Sequence, residues 1–404
     1  MIFCFVETRY TACWLEEKMS KKRMAFVDLS NFKNWPAGGM LEYELTLLNY
    51  LHDYFEIDLW GMSVDGKSNR QIEVNGVKHP IHIWGNAKTK KKIIPNYWRG
   101  LSIKRKKKSF PKDYDFVYVH TGSCAVALSK MIDRSKTKLI YHQHGLSHLH
   151  DYALMSLMQR PLVNLAQKVS DIVFVVSDEE SVSQYANTMK TKSNARCIPV
   201  VSPIILDEMV MNNVKQKIER NKNRDTEKFI YTGRLDSHKD VMTVIEAFNI
   251  YHRQKNNTEL VIVGEGDERI NLVNKVDELG IADCVTFTGA VPHDKVKEYL
   301  SEAEAYLTAS IGEGMSIAVL EAYEYGLPVV CFKVPGLEKQ VVDGVSGIIA
   351  KDHSAQGMYE AMLVANKKRS VLALGCLKEV RKYNAKDLAE YIAKNIMEGD
   401  LNAI

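Results

Sequence analysis

Ile311-Gly312-Glu313-Gly314-Met315-Ser316-Ile317-Ala318-Val319-Leu320-Glu321-Ala322-Tyr323-Glu324-Tyr325-Gly326-Leu327-Pro328 sets two carboxylates, Glu313 and Glu321, with seven residues between them. Glu313 falls in a glycine-rich loop. Glu321 falls in a short apolar helix, which Gly326 ends and Pro328 keeps from resuming. Val329-Val330-Cys331-Phe332 reads as a buried strand. The loop is expected to expose the amides of Gly314, Met315 and Ser316 at a helix N-terminus, a place for anionic oxygens such as those of phosphate. Glu321, further along the helix, can accept hydrogen bonds from hydroxyls such as a ribose diol. Glu313 stays at the loop, beside whatever the phosphate carries. The stretch can thus grip a nucleotide-sugar at both ends. The plain alternative is a chance pair of glutamates on a helix surface, and the rest of the chain weighs against it.

Upstream, strands and helices alternate. Lys228–Thr232, Leu260–Val263, Val285–Thr288 and Ala305–Thr308 read as strands. Val241, Val244, Ile245, Phe248 and Tyr251 line one intervening helix. Such alternation predicts a parallel sheet covered on both faces, with ligands at the C-terminal strand ends. Chemistry-bearing residues fall there. The first strand delivers Gly233-Arg234-Leu235 and then Lys239, and the second delivers Gly264-Glu265-Gly266. Arg234 offers a planar fork for phosphate and Lys239 a mobile point charge. Their plain alternative is a pair of surface salt-bridge partners.

The N-terminal half opens on the strand Met24–Leu29, then Gly38-Gly39, then a helical pattern of Leu41, Leu45, Leu48 and Leu51. It lacks G-x-G-x-x-G, so a dinucleotide fingerprint is absent. Leu139–Gly145 reads as a strand ending in histidines, with His142 and His144 on one side of it and His148, His150 and Asp151 beyond. A metal site there is one reading and a polar strand end another. Zinc-type spacing is missing, and no D-x-D-like motif stands out, so no metal ligand is assigned.

Between Lys88 and Lys112 the chain turns basic, with Lys104-Arg105-Lys106-Lys107-Lys108 as its densest run and no acidic residue. It reads either as a solvated loop or as a surface for an anionic partner such as a membrane face. The 404 residues suit two to three domains, and the net charge of +4 gives a nucleic-acid partner no footing. No apolar run approaches the ~18 residues that span a bilayer. Seven scattered cysteines without C-x-x-C spacing favour buried thiols in a reducing compartment.

G-R-L-x-x-x-K, G-E-G and E-x7-E, in this order over roughly 230–350, together resemble retaining glycosyltransferase family 4. Pro335-Gly336-Leu337-Glu338 and Asp343-Gly344-Val345-Ser346-Gly347 extend the likeness. The usual Pro-Asn-Gly turn before the interdomain linker is absent at Ile198–Pro203. The resemblance implies the GT-B fold, two Rossmann-like domains facing across a cleft. On that reading residues 1–18 are a disordered or mis-started extension, with a small amphipathic cap as the rival. Residues 19–211 form an acceptor-side domain, 212–227 a linker, 228–380 the donor domain, and 381–404 a helix returning to the first domain.

The resemblance further implies transfer of a hexose-type sugar from a UDP-sugar, or alternatively GDP-mannose, to a glycan or lipid-linked acceptor in surface polysaccharide synthesis. Configuration would be retained, without a metal or other cofactor. Arg234 and Lys239 would hold the diphosphate, Glu313 the sugar hydroxyls and Glu321 the ribose. Gly38, Gly39, Gly233, Gly264, Gly266, Gly314, Met315 and Ser316 would line the donor. His144, with His142 in reserve, would touch the transferred sugar. The protein would be cytoplasmic, or peripheral at the inner membrane face. Alternatives are a sugar-nucleotide epimerase or phosphorylase of the same fold, and an inactive nucleotide- or glycan-binding homologue.

Overall fold

The computed structural model describes residues 21–32, 39–63, 70–86, 96–144, 154–177, 179–189, 195–221 and 226–401. The expected N-terminal extension, Gly38, and the histidines at 148 and 150 lie outside them.

Two sheets organise these residues. The first holds β1 (Lys22–Val27), β2 (Phe55–Ser63), β3 (Arg70–Val74), β4 (Val77–Asn86), β5 (Phe116–Val119), β6 (Lys138–Gln143), β7 (Ile172–Val176) and β8 (Arg196–Val200), in spatial order β3-β4-β2-β1-β5-β6-β7-β8. Only the β3–β4 pair is antiparallel. The second holds β9 (Glu227–Thr232), β10 (Thr258–Val263), β11 (Val285–Gly289), β12 (Ala305–Leu307), β13 (Val329–Phe332) and β14 (Gly347–Ala350), all parallel, in order β11-β10-β9-β12-β13-β14.

Continuous apolar runs make the central strands because both faces are covered. Val173, Phe174 and Val175 are fully buried in β7, as are Val329, Val330 and Cys331 in β13. The helix Val241–Gln254 buries Val241, Val244, Ile245, Phe248 and Tyr251, one stripe at three- and four-residue steps. In both sheets the first strand lies inside and the chain winds outward both ways. The order thus reverses beside β1 and β9, where a crevice opens at the C-terminal strand ends.

One boundary differs from the sequence reading. Residues 212–221, expected as linker, are the body of the helix Glu208–Asn221. Met211 joins the C-terminal core, and the Lys217 ammonium donates to the carbonyls of Leu300 and Tyr325. Polar composition suggested a linker, but Met211 and Val214 supply the apolar spacing that docks a helix. The last helix, Ala385–Leu401, buries Leu388, Ala389, Ile392, Ala393 and Ile396 in the N-terminal core, beside Leu47, Leu48 and Leu51. The two halves are therefore also tied through the C-terminus.

Candidate active site

At the ends of β9 and β10, glycines let two loops lie against one another. Gly233 and Gly264 have φ of 151° and 150°. A Cβ on Gly264 would stand 1.8 Å from the Gly233 carbonyl oxygen, and one on Gly266 2.1 Å from that of Leu235. The Leu235 amide donates to the Glu265 carbonyl at 2.9 Å, and the Glu268 amide returns to that of Leu235 at 3.0 Å. The contact fixes the backbone that carries Arg234, whose side chain is 76% exposed and pairs with Asp236 at 2.5 Å.

Lys239 precedes the helix Val241–Gln254 at Asp240, a non-glycine residue at φ 44°. Left-handed backbone at such a residue is costly, and persists where the surroundings impose it. The Lys239 ammonium donates to Glu313, whose same oxygen accepts from the Ser310 hydroxyl at 2.9 Å. The first carboxylate of the E-x7-E stretch is thereby joined to the lysine 74 residues upstream. Gly336, at φ 86°, lets Pro335–Gly336 pass over this loop. A Cβ there would lie 2.2 Å from the Gly314 oxygen, and the Glu313 amide donates to Pro335 at 3.2 Å.

Ser316 departs from expectation. Its amide is not free: it donates to the Gln340 side-chain oxygen at 2.9 Å, while the Gln340 side-chain nitrogen donates to the Ser316 carbonyl at 2.8 Å. A fully buried glutamine thus caps the helix Ile317–Glu324 from another element. The amides of Gly314 and Met315 find no partner among the described residues. Met315 bridges the halves: its sulfur accepts from the Ser202 amide at 3.3 Å, and its side chain reaches both cores.

Glu321 is mostly buried, with His293 Nδ1 3.6 Å away. Burial, then Glu42 and Glu324 as like charges, pushes its carboxyl up to about 7. Glu42 lies on the helix Gly39–Leu51 of the N-terminal half, so that helix faces Glu321. Gly39 is the first residue of this helix.

The N-terminal face is built of side chains. His142 is fully buried, and both ring nitrogens are engaged: Nε2 with the Tyr43 hydroxyl at 2.8 Å and Nδ1 with that of Tyr118 at 2.5 Å. It is a core histidine that docks the helix Gly39–Leu51. His144 is only partly buried, and its Nε2 meets His120 Nδ1 at 2.8 Å. Burial holds His120 and His142 well below the usual imidazole range and His144 at about 4, so these rings are neutral near pH 7. Glu44 is completely buried, and neither carboxylate oxygen has a hydrogen-bond partner among the described residues. Burial and then Asp28 raise its carboxyl well above the usual range. Asp28 itself accepts from the Ser30 amide and hydroxyl and from Thr121.

Glu44, His120, Asp28 and Gln340 were missed from the sequence. His120 alone carries a usable signal: it directly follows β5, as His144 follows β6, at the strand ends where ligands bind. The basic run ends a 3₁₀ helix, Asn96–Lys106, with Lys104, Arg105, Lys107 and Lys108 exposed. It covers β4 and the helix Gly122–Leu128.

Two open parallel sheets with crevices at their strand ends, joined by a returning C-terminal helix, define a GT-B architecture. Solved structures agree. HepE from Anabaena in complex with UDP and glucose superimposes with a TM-score of 0.69 at 16% identity, covering 93% of this chain and all of that one. Sucrose-phosphate synthase from Thermosynechococcus elongatus gives 0.73 at 16% identity, covering 94% and 99%. Residues 213–373 match the family model described as glycosyl transferases group 1. The amylovoran biosynthesis glycosyltransferase AmsK of Erwinia amylovora is 32% identical over 142 residues, 34% of this chain and 35% of the relative. The alpha-monoglucosyldiacylglycerol synthase of Streptococcus pneumoniae is 24% identical over 232 residues, 56% and 53%. The chain thus spans between a third and about half the length of these two relatives. The residues that the family model matches include Arg234, Lys239, Glu313 and Glu321.

Proposed function

We propose that the protein is a retaining glycosyltransferase that moves a hexose-type sugar from a nucleoside diphosphate donor to a glycan or lipid-linked acceptor. One observation carries the reading: Lys239, Glu313 and Ser310 are joined, with Arg234 extended nearby, where three adjacent parallel strands end in glycine-rich loops. The group 1 family match over the same residues supports it.

Departure of the nucleoside diphosphate builds negative charge on its oxygens. Arg234, Lys239 and the amides of Gly314 and Met315 stabilise that charge, the role a divalent cation fills elsewhere, so the diphosphate itself needs no metal or other cofactor. Lys239 bonded to Glu313 in the free protein is poised to share its charge between that carboxylate and the donor. Glu313 takes the sugar hydroxyls and Glu321 the ribose. His144 lies beside the transferred sugar, and the leaving phosphate oxygen takes the acceptor proton. Uridine is the favoured base, in keeping with the UDP complex of the structural neighbour, with GDP-mannose as the alternative donor. The acceptor belongs to surface polysaccharide synthesis, by likeness to AmsK. The enzyme works in the cytoplasm, with Lys104–Lys108 as its contact with an anionic membrane face.

A panel of UDP- and GDP-sugars, scored for released nucleoside diphosphate with mono- and diglycosyl lipids and short glycans as acceptors, tests this. Release with one donor, lost in Arg234→Ala, is expected. Absence of release from every pair, together with no binding of free UDP or GDP, would overturn it.

A further inference from the structure

We propose that Glu44, His120 and His144 form a binding site for one divalent transition-metal ion of the zinc type on the N-terminal face. One ligand atom from each residue lies within 4.8 Å of the others. His120 Nδ1 stands 2.8 Å from His144 Nε2 and 4.0 Å from Glu44 Oε1. Two imidazoles and a carboxylate are a ligand set that zinc takes with bonds of roughly 2.0–2.2 Å, leaving one position open. At those bond lengths tetrahedral ligand atoms stand about 3.3 Å apart, a spacing bracketed by the distances present, so rotamer-scale adjustment closes the site.

Glu44 is the second, independent observation. A wholly buried carboxyl group that makes no well-formed hydrogen bond and has only the carboxyl of Asp28 as a close acidic neighbour is costly for a fold to keep. The carboxylate reaches toward the two rings and toward Asp28. A dication meets this demand: it ligates Glu44 and lies in the field of a second carboxylate. The ion takes the place of the hydrogen bond between His120 Nδ1 and His144 Nε2, leaving the His120 ring proton on Nε2.

The scaffold is suited to hold such a site. Glu44 sits on the helix Gly39–Leu51, and the histidines follow two neighbouring parallel strands. His120 stacks on His142 at 4.9 Å, and the Tyr43 and Tyr118 hydroxyls fix His142 from both sides. Rings locked in this way are pre-organised ligands. His142 is excluded as a ligand because both its nitrogens are used. His144, the least buried of the three, turns the open coordination position outward. If it ligates through Nε2, its contact with a transferred sugar falls to its backbone.

The site does not depend on the transferase reading, and metal binding tests it directly. Wild-type protein is stripped with chelator, loaded with Zn2+ or Co2+, dialysed and analysed for metal. One ion per chain is expected, with visible d–d absorption for the cobalt form that Zn2+ abolishes. Glu44→Gln and His120→Asn, each with the wild-type circular dichroism spectrum, should lose both signals. Zinc should raise the melting temperature of wild type and leave that of Glu44→Gln unchanged. Wild-type metal content equal to the dialysis buffer would overturn the proposal. So would undiminished binding in Glu44→Gln, since the ion would then sit elsewhere.

Discussion

The two faces of the molecule are made in opposite ways. The C-terminal face is backbone-led: Gly264, Gly266 and Gly336 let loops approach until no Cβ fits, and Arg234 and Lys239 project from them. The N-terminal face is side-chain-led: Glu44, His120, His142 and His144 come from one helix and two strands and bury one another. A face built on loop geometry demands glycine at fixed spacings. A face built on packed side chains leaves no spacing at all. The first therefore declares itself in sequence, and the second appears only when the strands are laid side by side.

The largest effects should fall on the C-terminal face. Arg234→Ala and Lys239→Ala should each lower turnover of the preferred donor by ~10²-fold or more, the usual loss for one pre-organised charge at a transition state. Steady-state kinetics with intact circular dichroism would show this. A loss of only a few-fold in both would place the diphosphate elsewhere and erase the contrast between the faces. Gly264→Ala puts a methyl group against the Gly233 carbonyl at a positive φ. It should cost on the order of 2–4 kcal/mol in urea denaturation. A neutral result would mean that the two loops part at little cost.

A smaller effect concerns Glu321, at the seam between the faces. Its carboxyl titrates near 7 because of burial and then Glu42 and Glu324, against Lys297, while its reference value is 4.5. The folded chain thus holds this proton between those values. The stability that this provides is full below the unfolded value and fades as pH rises through the folded one. Donor binding runs the other way, since a carboxylate accepts both ribose hydroxyls. UDP affinity should rise several-fold between about pH 6 and about pH 8, and Glu321→Gln should flatten the profile. An unchanged profile in the variant would take Glu321 off the ribose. The smallest effect belongs to the basic run. Replacing Lys104–Lys108 by Gln should reduce sedimentation with anionic liposomes, by about 1 kcal/mol per charge at most, and leave turnover of a soluble acceptor unchanged. Equal sedimentation would make the run a solvated surface.

Much of the fold was legible because hydrophobic runs and glycine punctuation report a parallel sheet directly. Every strand read after Lys228 reappears as β9 to β13. The helix Glu208–Asn221 was not, because its polar face dominates the composition while a few apolar residues, Val210, Met211 and Val214, are turned inward. Of the candidate site, the residues that belong to short motifs could be named from spacing. Gln340 could not, because a glutamine 24 residues from the amide it caps carries no local pattern. Glu44 likewise reads as an ordinary polar position of an amphipathic helix until β5 and β6 are placed beneath it. His142 shows the converse. The sequence offers it beside His144 at strand spacing, and only its two tyrosine partners reveal that it supports the face without meeting the cleft.

Calorimetric titration of UDP into wild type, Lys239→Ala and Glu44→Gln tests the division of labour between the faces most directly. One UDP per chain is predicted, weakened at least tenfold in Lys239→Ala, about 1.4 kcal/mol, and unchanged in Glu44→Gln. Equal UDP affinity in wild type and Lys239→Ala, or a loss confined to Glu44→Gln, would contradict the assignment of the nucleotide to the C-terminal face.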